Sequence, residues 1–278
     1  MNRCYGCGLP HGQLFLGGVR SGHVSNGSTR LRQVLSQSAA RSPKPVLLLD
    51  FDGTVCLGDG PVLAYAQEAF GYLPANERSA VRTRLAAFLS GDPDLLRQYA
   101  DGYGCVQDLV ADHLSPEQLS AAFLTSRKRL ATEDLGTSAA AGIKDLLSVL
   151  DGSVTRVLLT NSPAVGVVES IKRFGLSELF DQVVVGARKQ HRMGEHVAVL
   201  TDGRPSATLI SVGDHWANDV AVPLQRGCAT GYISGHPGAD EPAHLCGRDL
   251  ATVAPGILDW AQDPVEFVAS HEPIAVAR

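Results

Sequence analysis

Short runs of apolar residues recur along the chain, and segments with a helical pattern separate most of them. The first run, Val46–Leu49, is continuous rather than alternating. A continuous run of this length is typical of a strand that is buried on both faces of a parallel sheet. Similar runs occur at residues 157–159, 183–185, 208–212 and 229–233. Strands that alternate with helices in this way predict an α/β fold with a doubly wound, Rossmann-like parallel sheet.

The stretch between the first and second runs carries helical signals only. Asp92 and the proline after it begin one predicted helix, and Ser115 begins another because Gln118 stands at the spacing of a capping box. A crossover helix from about residue 139 to 150 should then lead back to the sheet. We therefore predict an all-helical cap inserted into the α/β core, with residues 43–57 and 136–278 in the core and residues 58–135 in the cap.

Two helices of the predicted core have clear ends in the sequence. One begins with Ser162 as its N-cap and Pro163 in its first turn, and Gly175 ends it. The other runs from about residue 217 to 226 and is closed by Gly227. Both follow an apolar run directly, as the helices of a βαβ unit do.

Residues 1–42 differ from the rest, because they are rich in Gly, Ser and Arg and have no sustained apolar period. This composition predicts a mobile N-terminal extension. Cys4, Cys7 and His11 resemble part of a zinc knuckle, but a structural zinc site needs four ligands and we interpret the spacing as incidental. The six cysteines of the chain are scattered, which favours reduced thiols over a disulfide framework.

Composition narrows the range of partners. A hydrophobic content of 44% and a charged content of 19% are typical of a globular protein with a sizeable core. The formal net charge of −5 gives no reason to expect binding to nucleic acid or to an anionic membrane. No apolar run approaches the roughly 18 residues of a membrane span, and the N-terminus lacks the apolar core of a secretory signal. We expect a cytoplasmic protein of undefined oligomeric state.

The strongest chemical signal closes the first apolar run. Asp50 and Asp52 leave the predicted strand end together, and Gly53 permits a sharp turn after them. One carboxylate can attack phosphorus while the other handles protons, and both present the hard oxygen ligands that magnesium prefers. The second run likewise ends in polar groups, Thr160 and Asn161, just before a helix N-terminus that favours phosphate. These four residues should meet, since the carboxyl ends of parallel strands share one edge.

The segment Asp50-Phe51-Asp52-Gly53-Thr54, followed by a long insert, resembles the opening motif of the haloacid dehalogenase-like superfamily. The resemblance implies that Asp50 is a nucleophile that forms an aspartyl-phosphate and that Asp52 is the general acid/base. Both are also implied to bind magnesium, Asp52 through its backbone carbonyl. Thr160 matches the second motif of the family, whose hydroxyl holds the transferring phosphoryl group.

Two further motifs complete the resemblance. Lys189 follows the third run, where the family places a lysine that neutralises the charge of nucleophile and phosphate. Gln190 stands where the family usually has proline, and Arg188 and Arg192 are neighbouring cations that could replace Lys189.

The segment Gly213–Asp219 matches the fourth family motif in its spacing. By resemblance, Asp214 completes the magnesium site, and Asp219 belongs to the same metal group or orients Lys189. The implied function is a magnesium-dependent phosphatase that acts on a small phosphorylated metabolite.

Several polar side chains could bind the remainder of that substrate. The sequence does not distinguish among the candidates of the cap, which are Arg82, Arg84, Arg97, Tyr103, His113, Arg127 and Lys128. His215, inside the fourth motif, is a further candidate.

Three other functions are compatible with parts of this pattern. A true dehalogenase of the superfamily typically lacks the second aspartate, so Asp52 and the pair Asp214 and Asp219 argue against it. A phosphosugar mutase similar to β-phosphoglucomutase shares all four motifs and stays open. A non-enzymatic binding protein that retains the fold is disfavoured because every catalytic position is filled.

Overall fold

The computed structural model describes residues 43–234 and 241–274. Within these residues, six parallel strands form one sheet and two short strands form a separate antiparallel pair. The strands are β1 (Val46–Leu49), β2 (Cys56–Leu57), β3 (Ser138–Ala139), β4 (Thr155–Leu159), β5 (Gln182–Val184), β6 (Leu209–Gly213), β7 (Ala229–Ile233) and β8 (Leu245–Gly247). The order in the main sheet is β5-β4-β1-β6-β7-β8, so β1 lies near its centre. A doubly wound α/β fold is therefore confirmed.

Helices follow most strands and also fill the long connection between β2 and β3. They are α1 (Gly60–Phe70), α2 (Arg78–Leu89), α3 (Pro93–Gln98), α4 (Gly102–Leu109), α5 (Pro116–Thr132), α6 (Ile143–Val149), α7 (Ala164–Arg173), α8 (Lys189–Thr201), α9 (Ala221–Gln225), α10 (Leu250–Gln262) and α11 (Pro264–Ser270). None of the helices in the described part of the chain is long and apolar enough to cross a membrane.

The continuous apolar character of β1 follows from burial on both of its faces. Leu47 and Leu49 pack in a cluster that includes Trp260 of α10, whereas Val46 and Leu48 pack with Met193 of α8 on the other face. All four residues of β1 are at most 2% exposed. Because β1 pairs in parallel with both β4 and β6, the three strands end at the same edge of the sheet.

The helices α1 to α5 form an insert with its own apolar core. Tyr65, Phe70 and Phe88 are buried in that core, separately from the clusters on the sheet. The predicted helix starts are confirmed: Asp92 caps α3 through its side chain, and Ser115 forms a reciprocal capping box with Gln118 at the start of α5. The division into core and cap domains at residues 58 and 135 stays a prediction.

The antiparallel pair of β2 and β3 joins the insert to the sheet, with Cys56 opposite Ala139. The insert also contacts the core where α5 packs on α7. Gly166 of α7 has a positive φ of 86°, and a Cβ atom there would lie 2.7 Å from the carbonyl oxygen of Arg127. Glycine is therefore needed at this contact.

Three local predictions were wrong in detail. Ser162 does not cap a helix, because α7 begins at Ala164 and the Ser162 hydroxyl bonds to another group described below. The crossover helix starts at Ile143 rather than near residue 139, since residues 138 and 139 pair with β2. The helix predicted over residues 217–226 is a π-helical turn, Trp216–Val220, followed by the shorter α9.

The predicted mobile extension, residues 1–42, lies outside the described residues, as do Cys4, Cys7 and His11 within it.

Candidate active site

Polar residues from four segments meet at the carboxyl edge of the sheet. Asp50 follows β1, Thr160 follows β4, Lys189 begins α8 after β5, and Asp214 follows β6. The backbone N–H of Asp50 still donates to the carbonyl oxygen of Val212 at 3.0 Å, so the sheet fixes where Asp50 lies. This edge is where open α/β sheets bind ligands.

Lys189 is buried against two carboxylates. Its Nζ donates to Asp50 Oδ1 and, at 2.7 Å, to Asp219 Oδ1, while only 3% of its side chain is exposed. Arg188, which precedes Lys189 and has a left-handed backbone conformation, is exposed, and Arg192 pairs with Glu195. The structure therefore places Lys189, and neither of the neighbouring arginines, beside the aspartates.

Asn161 holds the backbone of Lys189 in place, and Thr160 bonds within its own turn. The side-chain oxygen of Asn161 accepts a hydrogen bond from the backbone N–H of Lys189 at 2.8 Å. The buried hydroxyl of Thr160 accepts from the backbone N–H of Ser162 at 3.0 Å, and it can still donate its own proton. Contact of Thr160, Asn161 and Lys189 with a phosphate stays a prediction.

Asp50, Asp214 and Asp219 form a compact carboxylate cluster, in which one oxygen of each lies within 4.8 Å of the others. Burial raises the pKa of Asp50 above its ordinary value, with Lys189 opposing and Asp219 adding to the rise. Burial and the charges of Asp50 and Asp219 likewise raise the pKa of Asp214. The pKa of Lys189 is also raised, because the attraction of Asp219 and Asp50 outweighs the effect of burial.

This cluster fits a divalent metal ion. Three carboxylates face one lysine, so the fully ionised site carries surplus negative charge in a buried position. Burial is the largest cause of the raised pKa values of Asp50 and Asp214, and the neighbouring carboxylates add to it. Carboxylate oxygens are the ligands that magnesium prefers.

Two glycines allow the aspartates to approach the strand ends. Gly53 has a positive φ of 81°, and a Cβ atom there would lie 2.0 Å from Asp214 Oδ2. A Cβ atom on Gly213 would lie 2.3 Å from Asp219 Oδ2. Both distances are far below van der Waals contact, so a larger residue at either position would displace a cluster carboxylate.

The side chain of Asp52 binds elsewhere. Its Oδ2 accepts from the Ser162 hydroxyl at 2.7 Å, and its Oδ1 accepts from Arg127 Nη1 at 2.8 Å. Among the described residues, its carboxylate is not part of the three-aspartate cluster. The predicted role of its backbone carbonyl as a metal ligand stays a prediction.

Sequence reasoning missed both partners of Asp52. The sequence predicts a helix cap at Ser162, and it does not distinguish Arg127 from the six other polar candidates of the insert. Tyr103, another of the seven, accepts a hydrogen bond from the same nitrogen, because its hydroxyl oxygen lies 3.1 Å from Arg127 Nη1. No local spacing signals these contacts, which link residues 75 and 110 positions apart. His215 lies at the site through its backbone N–H, which donates to Asp219 Oδ2 at 3.1 Å.

Comparison with known proteins agrees with this geometry. No protein-family model matches the chain. A curated phosphoglycolate phosphatase from Pseudomonas fluorescens (strain Pf0-1) is 26% identical over 244 residues, which cover 82% of this chain and 85% of the relative.

Solved structures share the fold at low sequence identity. A hydrolase from Pseudomonas syringae has a TM-score of 0.54 at 15% identity, over 78% of this chain and 99% of that one. CbbY from Rhodobacter sphaeroides, in complex with phosphate, has a TM-score of 0.53 at 15% identity, over 76% and 96%. The HAD-hydrolase YfnB from Bacillus subtilis, bound to magnesium, has a TM-score of 0.52 at 17% identity, over 78% and 100%.

The sheet order, the helical insert and the aspartate and lysine edge agree with an enzyme of the phosphoryl-transfer class on an α/β fold. With the curated relative and the shared fold, they support the resemblance to the haloacid dehalogenase-like superfamily that the four sequence motifs indicate.

Proposed function

We propose that this protein is a magnesium-dependent phosphatase that hydrolyses a small phosphorylated metabolite through an aspartyl-phosphate on Asp50. The observation that carries the proposal is the buried Asp50 carboxylate, held by Lys189 at the end of the central strand with Asp214 and Asp219 beside it. The curated relative is named for hydrolysis of a phosphoric monoester, which supports the same reaction class here.

Asp50 is the nucleophile in this proposal. Phosphate monoesters are anionic and repel an attacking carboxylate, so neutralisation of charge and positioning supply most of the rate. Lys189 supplies one positive charge directly at Asp50. Magnesium, held by Asp50, Asp214, Asp219 and the backbone carbonyl of Asp52, would supply the remaining charge neutralisation.

Asp52 is the acid and then the base. As a bond forms between an Asp50 oxygen and phosphorus, the bond from phosphorus to the alcohol oxygen breaks, and Asp52 gives its proton to that oxygen. A water then attacks the aspartyl-phosphate, Asp52 takes its proton, and the Asp50 carboxylate is released with inorganic phosphate. Ser162 and Arg127 orient Asp52 for both steps, because each holds one of its oxygens.

Thr160 and Lys189 bind the transferring phosphoryl group, with the Thr160 hydroxyl as a donor. Asn161 acts on the same group through the backbone of Lys189, which it fixes. Location in the cytoplasm and the lack of nucleic-acid or membrane partners stay predictions from composition.

The direct test is a magnesium-supplemented screen of phosphomonoesters that includes sugar phosphates, nucleotides and phosphorylated carboxylic acids. We expect release of inorganic phosphate from at least one of them, and none from the Asp50→Asn variant. Asp112→Asn, at an exposed position of the insert, is the matched control and should retain activity. Conversion of a sugar phosphate to its isomer without release of phosphate would indicate a mutase instead. Equal rates for wild type and Asp50→Asn would contradict the proposal.

A further inference from the structure

Arg127 is a fully buried cation at the contact between the insert and the sheet edge. Its side chain has no exposed surface, and its Nη1 atom bonds to Asp52 Oδ1 and to the hydroxyl of Tyr103. The attraction of Asp52 outweighs burial and raises the pKa of Arg127, so the guanidinium is charged. Only one of its three nitrogens is used by these contacts.

The other two nitrogens lack partners. Neither Nε nor Nη2 of Arg127 has a hydrogen-bond acceptor among the described residues, although both are buried. Buried donors without acceptors are destabilising, and a structure that keeps them calls for an explanation. The N–H groups of Nε and Nη2 point in the same direction, and together they form the side edge of the guanidinium, which matches two oxygens of one anion.

The surroundings of this edge favour a planar group. The guanidinium carbon lies 5.9 Å from the ring centre of Phe51 and 5.8 Å from that of Phe123. The two aromatic rings near the cation give it a partly apolar setting, where a charged hydrogen-bond pair is strong. A carboxylate is planar, carries one charge and presents two oxygens at the spacing of the edge.

We propose that the Nε and Nη2 edge of Arg127 binds a carboxylate of the substrate. The enzyme would then select phosphomonoesters whose ester carbon bears a carboxylate. This inference rests on the proposed function, in which Asp52 reaches the ester oxygen. The free edge belongs to the same guanidinium whose Nη1 bonds to Asp52, the proposed acid/base.

The position of Arg127 also couples selection to admission of the substrate. Tyr103 and Phe123 belong to the insert, whereas Phe51 and Asp52 belong to the sheet edge. Because the free edge of the guanidinium is buried at this contact, a carboxylate would reach it only if these two parts separated there.

The first arm of the test uses the wild-type enzyme with magnesium and two esters of equal length. The substrates are 2-phosphoglycolate, which has the carboxylate, and ethyl phosphate, which lacks it. We expect kcat/KM to be about 10- to 100-fold higher for 2-phosphoglycolate, the range of a bidentate charged pair. Equal kcat/KM values would overturn the inference. So would a preference for ethylene glycol bisphosphate over 2-phosphoglycolate, since the edge would then be binding a second phosphate.

The second arm uses Arg127→Met, which keeps the length of the side chain and removes its donors. Because Arg127 also holds Asp52, kcat should fall for both esters, but KM should rise for 2-phosphoglycolate alone and the preference should disappear. Arg129→Met is the matched control on the same helix, since Arg129 bonds to Glu133 and Gln67 of the insert. It should retain the preference. An equal loss for both esters in Arg127→Met would show a positioning role only.

Two outcomes are kept separate by design. If neither ester is hydrolysed and wild type equals Asp50→Asn across the phosphomonoester screen, the proposed function fails. If the esters are hydrolysed without preference, only the inference about Arg127 fails. Should Arg127→Met not fold, binding of the two esters to Asp50→Asn by calorimetry replaces it, with a tighter 2-phosphoglycolate complex expected and equal affinities contradicting the inference.

Discussion

The two carboxylates at the end of β1 meet different regions of the molecule. Asp50 lies in a pocket at the sheet edge, where Lys189, Asp214 and Asp219 surround it. Asp52, two residues later, bonds to Ser162 of the sheet edge and to Arg127 of the inserted helices. The Asp50 pocket has more acids than cations, whereas the Asp52 side pairs one acid with one arginine.

This difference separates two tasks. Groups at strand ends are held by the register of the parallel sheet, so the Asp50 pocket offers a fixed geometry for chemistry at phosphorus. Arg127 lies on α5, in the insert, which is joined to the core through the antiparallel pair of β2 and β3 and through packing of α5 on α7. The insert can therefore vary the substrate without disturbing the pocket that performs the reaction.

Metal removal should have the largest effect, because it acts on the pocket with surplus negative charge. We expect activity to disappear in EDTA, by about 10³-fold or more given the several kcal/mol that a metal ion contributes to charge stabilisation. Magnesium should restore it, and calcium should support little turnover because it is larger and differently coordinated. Full turnover in EDTA would show that Lys189 alone neutralises the charge in the Asp50 pocket. The Asp50 and Asp52 sides would then not differ in their need for a metal.

Replacement of Asp52 should have the next largest effect and a different character. Asp52→Asn keeps an acceptor for Arg127 and a group that can bond to Ser162, so the fold should survive. General acid/base catalysis contributes about 10²- to 10⁴-fold, and we expect a loss of that order in steady-state turnover. With p-nitrophenyl phosphate, whose leaving group needs little acid help, the variant should accumulate phosphoenzyme.

The measurement is a burst of one equivalent of p-nitrophenolate, or label trapped on the protein at acid pH. Asp50→Asn is the control and should acquire no label, since an amide is a poor nucleophile. Near wild-type turnover in Asp52→Asn, or label on Asp50→Asn, would show that the two carboxylates had been assigned the wrong roles.

The sequence predicts the Asp50 side of this comparison well. Each polar residue there follows an apolar run, and parallel strands that share a register must end at one edge. Asp50, Thr160, Lys189 and Asp214 are therefore placed by the local pattern together with one topological rule. The edge strand β8 escaped prediction because its three residues are half-buried and leave no apolar run.

The Asp52 side could not be predicted in the same way. Arg127 reaches Asp52 only because five helices fold back over the sheet, and its neighbours on α5 have equally polar side chains. Ser162 carries the local signal of a helix cap, which predicts a role that the structure does not show. The backbone at Val165 and Gly166 departs from helical geometry, so the regular part of α7 begins later and frees the Ser162 side chain. Tertiary contacts overrode the local preference at both positions.

Removal of residues 1–42 should have the smallest effect, and it tests whether the two sides need anything beyond the described chain. The chain is bonded to the core from residue 43 onward. Arg204 donates to the carbonyl oxygens of Pro43 and Lys44. The backbone N–H of Thr155 donates to the carbonyl oxygen of Pro45 at 2.8 Å. A chain that begins at residue 43 keeps these bonds.

We expect the free energy of unfolding of this truncated chain to lie within about 0.5 kcal/mol of that of the full chain, as for surface substitutions that remove no specific contact. Its kcat/KM should stay within about twofold for both esters, because the described groups around Asp50 and the described partners of Arg127 all lie after residue 49. Chemical denaturation and steady-state kinetics measure the two quantities, with a chain that begins at residue 46, lacking the Pro45 and Lys44 bonds, as the destabilised control. A large loss of stability in the chain from residue 43, or stoichiometric zinc bound by the full chain through Cys4 and Cys7, would show that the N-terminal segment is part of the fold.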